Sequence, residues 1–103
     1  MKPIVIISTY PNKNAIRKIA NELVKNKIVA CVNIMKISSI YSWKGKVENT
    51  SEFLALFKTT QKNKKLLKEK IKSTHPYDVP EIAEIDITSI NELYLKWLIE
   101  STT

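Results

Sequence analysis

Apolar positions along this chain switch between a strand period of two and a helical period near 3.6, and the switches mark out its elements. The run KPIVIIST, Lys2 to Thr9, is β-branched and of strand length. YPNKN follows, with Pro11 and two asparagines, the residues of a turn and a helix start. From Asn12 to Lys25, Ala15, Ile16, Ile19, Ala20, Leu23 and Val24 fall on one helical stripe. Ile28 to Trp43 returns to alternation, with Ile28, Ala30, Val32 and Ile34 set against Val29, Cys31, Asn33 and Met35. KGK turns the chain at its only glycine, Gly45, and Val47 to Thr60 reads as the return strand. Gln61 to Ser73 is a second helix with Leu67 and Ile71 one turn apart, and Glu81 to Thr88 a fourth strand. Ser89 and Glu92 have capping-box spacing ahead of LYLKWLI, a last helix whose Trp97 is expected in the core.

The order is β-α-β-β-α-β plus a C-terminal helix, read as one domain over residues 1–103. Right-handed crossovers around a long hairpin predict an α+β, ferredoxin-like sandwich: a four-stranded antiparallel sheet with helices on one face. The hairpin is long for its chain. About 14 residues at about 3.3 Å each reach roughly 45 Å, whereas a compact chain of this length is about 33 Å across. The strands are also apolar on both faces: Ile4 and Ile6 oppose Val5 and Ile7, and Phe53, Ala55 and Phe57 oppose Leu54 and Leu56. An antiparallel sheet with one wet face should alternate apolar with polar residues. A second cover is therefore expected, either further copies of the same sheet or, in part, the C-terminal helix.

Composition narrows the function classes. Hydrophobic residues make up 44% and charged residues 26%, as in a folded soluble chain. The longest early apolar run, PIVIIS, is too short to span a bilayer, and no signal-peptide pattern is present, so no membrane partner is expected. One cysteine excludes an internal disulfide and fits a cytoplasmic location. The net charge of +7 invites a nucleic-acid partner, but Arg17 is the only arginine among 17 basic residues, and base readout and phosphate forks favour arginine. No nucleic acid is expected. The lysine and isoleucine load with one glycine resembles a heat-adapted or AT-biased proteome, hence a thermostable chain.

The candidate chemistry centres on HPYDVPE. Pro76 forces His75 out of helical geometry, so the second helix should end near Thr74, and Pro80 suits a strand start. The segment is thus an elbow that also crowds His75, Tyr77, Asp78 and Glu81. Histidine beside carboxylates can bind a borderline metal or move protons; alternatively His75 bonds a backbone carbonyl and fixes the elbow. Cys31 reads as a small buried residue or a soft Cu(I) ligand. Trp43 at the hairpin end is an interface anchor or a ligand platform. Glu52 and Lys58 share a face of the third strand, about 20 Å apart, as solvated strand ends or as groups that meet other partners. The lysines of the second helix, Lys62 to Lys72, read as a solvated face, or less simply as an anion-binding one. No P-loop, dinucleotide fingerprint or nucleophile elbow accompanies these residues, and SEFLALFKT lacks the RNA-binding signature of this topology. No catalysis is expected.

ACVNI, SSIYSWKGK, Glu52 with FKTT, HPYDVPEI and YLKWL, in this order over nearly the whole chain, resemble the CutA divalent-cation tolerance family. The resemblance implies a homotrimer like the PII-type nitrogen regulators, with three sheets around an axis. It implies a metal-responsive protein that binds Cu(II) or another divalent cation, with no metal required for folding. Metal ligands carried over would be His75, Cys31 and Glu81. Glu52, Lys58, Thr59, His75, Tyr77 and Glu81, with Trp43 nearby, would line a cleft between subunits. The alternative it implies is a signalling trimer that holds a small anion or metabolite in that cleft. Some members carry further cysteines as copper ligands; only Cys31 is present here.

Overall fold

A computed structural model describes all 103 residues, Met1–Thr103. The elements are β1 (Pro3–Tyr10), α1 (Lys13–Lys25), β2 (Cys31–Trp43), β3 (Lys46–Thr60), α2 (Lys64–Thr74), β4 (Ala83–Asp86) and α3 (Glu92–Ser101). The strands form one antiparallel sheet in the order β2-β3-β1-β4, the ferredoxin-like arrangement read from the sequence.

Strand parity sorts the two faces. Ile4, Ile6, Ser8 and Tyr10 on β1 lie opposite Thr59, Phe57, Ala55 and Phe53 on β3. With Ile16, Ile19 and Leu23 of α1 and Leu67 and Ile71 of α2 they form the core. Burying one such aliphatic or aromatic side chain stabilises the fold by about 1.5–3 kcal/mol. The other face carries Val5, Ile7, Leu54 and Leu56, all only partly buried, with Met35 and Ile85 each 49% exposed. α3 reaches this face at one end, where the Lys58 ammonium lies 5.7 Å from the Tyr94 ring centroid.

β2 and β3 pair from Cys31↔Lys58 to Trp43↔Lys46, but β1 accompanies β3 only over Phe53–Thr60. The distal half of the hairpin therefore projects. The long axis is 45 Å, and the radius of gyration, 14.3 Å, exceeds the roughly 13 Å of a compact chain this long. Lys44 and Gly45 close the hairpin with φ of 50° and 77°, the left-handed pair that a two-residue turn requires.

Several boundaries differ from the periodicity. Ile28, Val29 and Ala30 are buried but precede β2, because Lys27 turns at φ 59° and Ile28 and Val29 donate to Leu23 O as a helix C-terminal cap. Gln61–Asn63 is a 3-10 turn ahead of α2, and β4 spans only Ala83–Asp86. The predicted capping box does not form: Asn91 is the N-cap of α3, and its carbonyl accepts from Leu95 N–H. Trp97 is 43% exposed rather than in the core, its ring tilted against Tyr94; Leu98 is the buried residue of this helix. Val24 likewise faces out. Lys64 and Lys68 are not simply solvated, since both pair with Glu84 of β4, and the Lys68 hydrogen bond chiefly holds that carboxyl below its usual range.

Candidate functional site

The elbow after α2 folds back against β1. Thr74 ends the helix and His75 is extended, as Pro76 demands. The His75 ring stacks on Tyr10 with centroids 4.2 Å apart, and both of its nitrogens are engaged. Nδ1 accepts from the Tyr77 backbone N–H at 3.1 Å, and Nε2 lies 3.1 Å from Ser8 Oγ. An accepting Nδ1 places the proton of the neutral ring on Nε2, which donates to Ser8. Burial holds the His75 pKa below its usual value; a backbone hydrogen bond at Thr9 and the charge of Glu52 act in the opposite sense and are outweighed. His75 thus fixes the elbow through the Tyr77 backbone N–H, alongside the backbone hydrogen bond at Thr9. This tautomer is the reverse of the one that activates a serine, whose base must accept at Nε2. Neither Asp78 nor Glu81 orients the ring.

Two residues beyond His75, the Tyr77 hydroxyl donates to Glu52 Oε2 at 2.6 Å. Glu52 is only 7% exposed, not the solvated strand end it could have been. Burial, then the Glu52 bond, push the Tyr77 phenol well above its ordinary pKa, so the hydroxyl remains the donor. Behind the elbow, burial raises Tyr10 to about 12, with Ser8 opposing, and the Tyr10 hydroxyl makes no hydrogen bond of acceptable geometry.

Between the elbow and the root of the projecting hairpin lies a cleft of about 770 Å³. Its polar lining includes Glu52, Tyr77, Asp78 and Glu81, with Tyr41 and Trp43 from the hairpin; no lysine, arginine or histidine lines it. Four of the anticipated residues meet here: Trp43, Glu52, Tyr77 and Glu81. The others lie elsewhere. Lys58 is at the far end of the sheet, paired with Cys31 in register, and Thr59 is buried and donates to Ile28 O at 2.7 Å. Cys31 is only partly buried, with Sγ 3.8 Å from Asn33 Oδ1. His75, Cys31 and Glu81 do not converge within the chain, and no three His, Cys, Asp or Glu side chains form a group that could hold a metal ion. Ser8, Thr9 and Tyr10 were missed. Ser8 carried a signal, as the one polar residue on the buried stripe Ile4, Ile6, Tyr10.

Fold and cleft together define a one-sheet α+β subunit whose acidic pocket lies at the root of an overreaching hairpin. The chain belongs to the CutA1 divalent ion tolerance protein family, whose model matches residues 4–101. It is similar to the divalent-cation tolerance protein CutA of Pyrococcus horikoshii, with 42% identity over 96% of this chain and 97% of that one. The CutA of Thermus thermophilus is 44% identical over 95% of this chain and 96% of its own. The crystal structure of the divalent ion tolerance protein CutA1 from Ehrlichia chaffeensis superposes with a TM-score of 0.94 at 34% identity, covering 100% of this chain and 98% of that one.

Proposed function

We infer that this chain is a divalent-cation-responsive module that acts without catalysis, as a homotrimer in the cytoplasm, and that its cleft is where the cation is received. The carrying observation is the sign of the cleft: on a chain of net charge +7, its lining holds Glu52, Asp78 and Glu81 and no basic side chain. Carboxylate oxygens suit hard and borderline divalent ions, Cu(II) among them, rather than Cu(I). Since no donor set closes within one chain, neighbouring copies must complete it. His75 would join only by giving up a hydrogen bond at one ring nitrogen. The anion-binding reading is less well supported, because Lys58, its cationic candidate, lies over Tyr94 away from the cleft.

The test is calorimetric titration of Cu(II) and Zn(II) into the wild type, Glu81→Gln, Asp78→Asn and His75→Ala, with Glu100→Gln as a control. Saturable uptake weakened by the cleft variants and untouched by the control is expected. Uptake absent in the wild type, or equal in all variants, overturns the reading.

A further inference from the structure

The positive charge of this chain is not spread evenly over its surface. The helices that cover the sheet, α1 and α2 with the 3-10 turn Gln61–Asn63, hold ten of the 17 basic residues and two of the ten acidic ones, Glu22 and Glu69, a net +8. The rest of the chain holds seven basic and eight acidic residues, a net −1. A lysine-rich proteome would load every surface alike, so composition does not account for this division.

Most of the helical charge is free. Lys64 and Lys68 are taken by Glu84 of β4, and the Lys13 ammonium lies 5.8 Å from the Phe53 ring centroid. Lys18, Lys25, Lys65 and Lys72 form no ion pair and are exposed. Ile16, Ile19 and Leu23 of α1 and Leu67 and Ile71 of α2 are buried against the sheet. At 3.6 residues per turn the four lysines fall on the opposite sides of their helices, turned away from the sheet. They stay at the surface when the other sheet face is covered.

This layer lacks what most partners need. It contains no aromatic residue, so it offers no platform for unpaired bases and no anchor at a lipid interface. Its apolar stripes are already spent on the core, and a polybasic patch with no apolar anchor holds a membrane only weakly. A protein partner would want an apolar centre to the interface, and only Val24 and Leu66 are exposed large apolar residues here. Duplex DNA requires none of these. It carries a phosphate charge about every 1.7 Å of axis, and its sequence-independent binding comes almost wholly from neutralising those charges. The single arginine, Arg17, excludes base readout; lysine still neutralises phosphate as a point charge.

We propose that the outer face of α1 and α2 docks on the phosphate backbone of duplex DNA without regard to sequence, with Lys18, Lys25, Lys65 and Lys72 as the principal contacts. This revises the expectation of no nucleic-acid partner, which rested on base readout. α1 has 13 residues and is about 20 Å long. The four lysines then neutralise about three or four phosphates, and log K should fall with log salt at a slope near −3.

The test is anisotropy of a labelled DNA duplex of about 24 base pairs, titrated with the whole protein at about 50 to 200 mM salt. Saturable binding is expected at the low-salt end, weaker by roughly fortyfold at the high-salt end, and equal within about twofold for two unrelated sequences. Lys18→Gln with Lys25→Gln, and Lys65→Gln with Lys72→Gln, should each make the slope shallower by about one to two. Lys44→Asn with Lys96→Gln removes the same charge outside this face and should leave the slope unchanged; asparagine suits the left-handed turn position of Lys44. All six lysines are exposed, and unchanged circular dichroism checks that the variants fold. Vesicles of phosphatidylcholine with phosphatidylserine should bind more weakly than the duplex. No saturation at low salt, a slope near zero, an equal loss in the control pair, a strong sequence preference, or vesicle binding as tight as the duplex overturns the proposal.

Discussion

Tyr77 and Glu52 are 25 residues apart in sequence and 2.6 Å apart in space, and their bond ties the proline-stiffened elbow to the root of the hairpin. It is the main polar tie that closes one side of the cleft. Neither partner is dispensable to the other: the phenol supplies the donor, and the buried carboxylate has no other.

Tyr77→Phe should therefore destabilise the fold by about 2–3 kcal/mol, the cost of stranding a buried charged acceptor. A lower urea midpoint with an unchanged slope is the signature. Glu52→Gln keeps an acceptor for the same hydroxyl and should lose less. Identical midpoints for Tyr77→Phe and wild type would mean that the bond contributes nothing to stability.

Stability should also fall with acid through His75. Its folded pKa lies below the unfolded value near 6.5, because burial disfavours the imidazolium. Above about pH 6.5 neither state is protonated at this ring, and its contribution is fully present. As pH falls below about 6.5 the unfolded chain takes up the proton first, and stability drains until the pH passes the depressed folded value. Melting temperatures from pH 7.5 to 5 should decline more steeply in the wild type than in His75→Asn. Parallel curves would show that the ring is not desolvated.

Tyr10 and Tyr77 both contribute to the alkaline limb, since both phenols are raised, and the Tyr10 share can be tested by itself. Burial raises the folded Tyr10 pKa to about 12, so the phenol stays neutral while an unfolded tyrosine ionises near 10. Stability should fall as pH rises from about 10 towards about 12. Tyr10→Phe, which also removes a hydroxyl that makes no hydrogen bond of acceptable geometry, should flatten the loss that Tyr10 contributes. A melting series above pH 9 that is unchanged by the substitution counts against this.

Much of this architecture is legible in residue order. Periodicity shows the strands and helices, Pro76 and Pro80 show the elbow, and the hairpin's length was already too great for a compact chain. The misses have a common cause. Ile28–Ala30 keep the alternation of a strand, but after Lys27 in a left-handed conformation the Ile28 and Val29 amides cap the helix at Leu23 O, and only the Ala30 amide reaches β3, at Lys58 O. Trp97 has helical spacing with Leu93, yet α3 meets the sheet through Tyr94 and Leu98, which leaves that stripe exposed. The candidate site was half visible. Residues within HPYDVPE are neighbours in the chain, so their crowding could be read directly. The partnership of Tyr77 with Glu52 and of His75 with Ser8 depends on where an elbow lands on a sheet, which local pattern does not encode.

The half-covered sheet face leads to the last prediction. Val5, Ile7, Leu54 and Leu56 are only partly buried in the single chain, and Met35 and Ile85 are each about half exposed. α3 reaches only the Lys58 end of that face. If the proposed trimer packs three such faces together, light scattering at micromolar concentration should give three times the 11.9 kDa chain mass. Met35→Lys is the informative variant. In an isolated subunit a lysine at this half-exposed site reaches water along its flexible stem and costs little. In the assembly it must bury its ammonium without a partner, which a tight interface does not tolerate. The variant should therefore fall to the single-chain mass while keeping its far-ultraviolet circular dichroism. A wild type that scatters as one chain would remove the trimer, and a variant that stays fully assembled would move the interface away from this face.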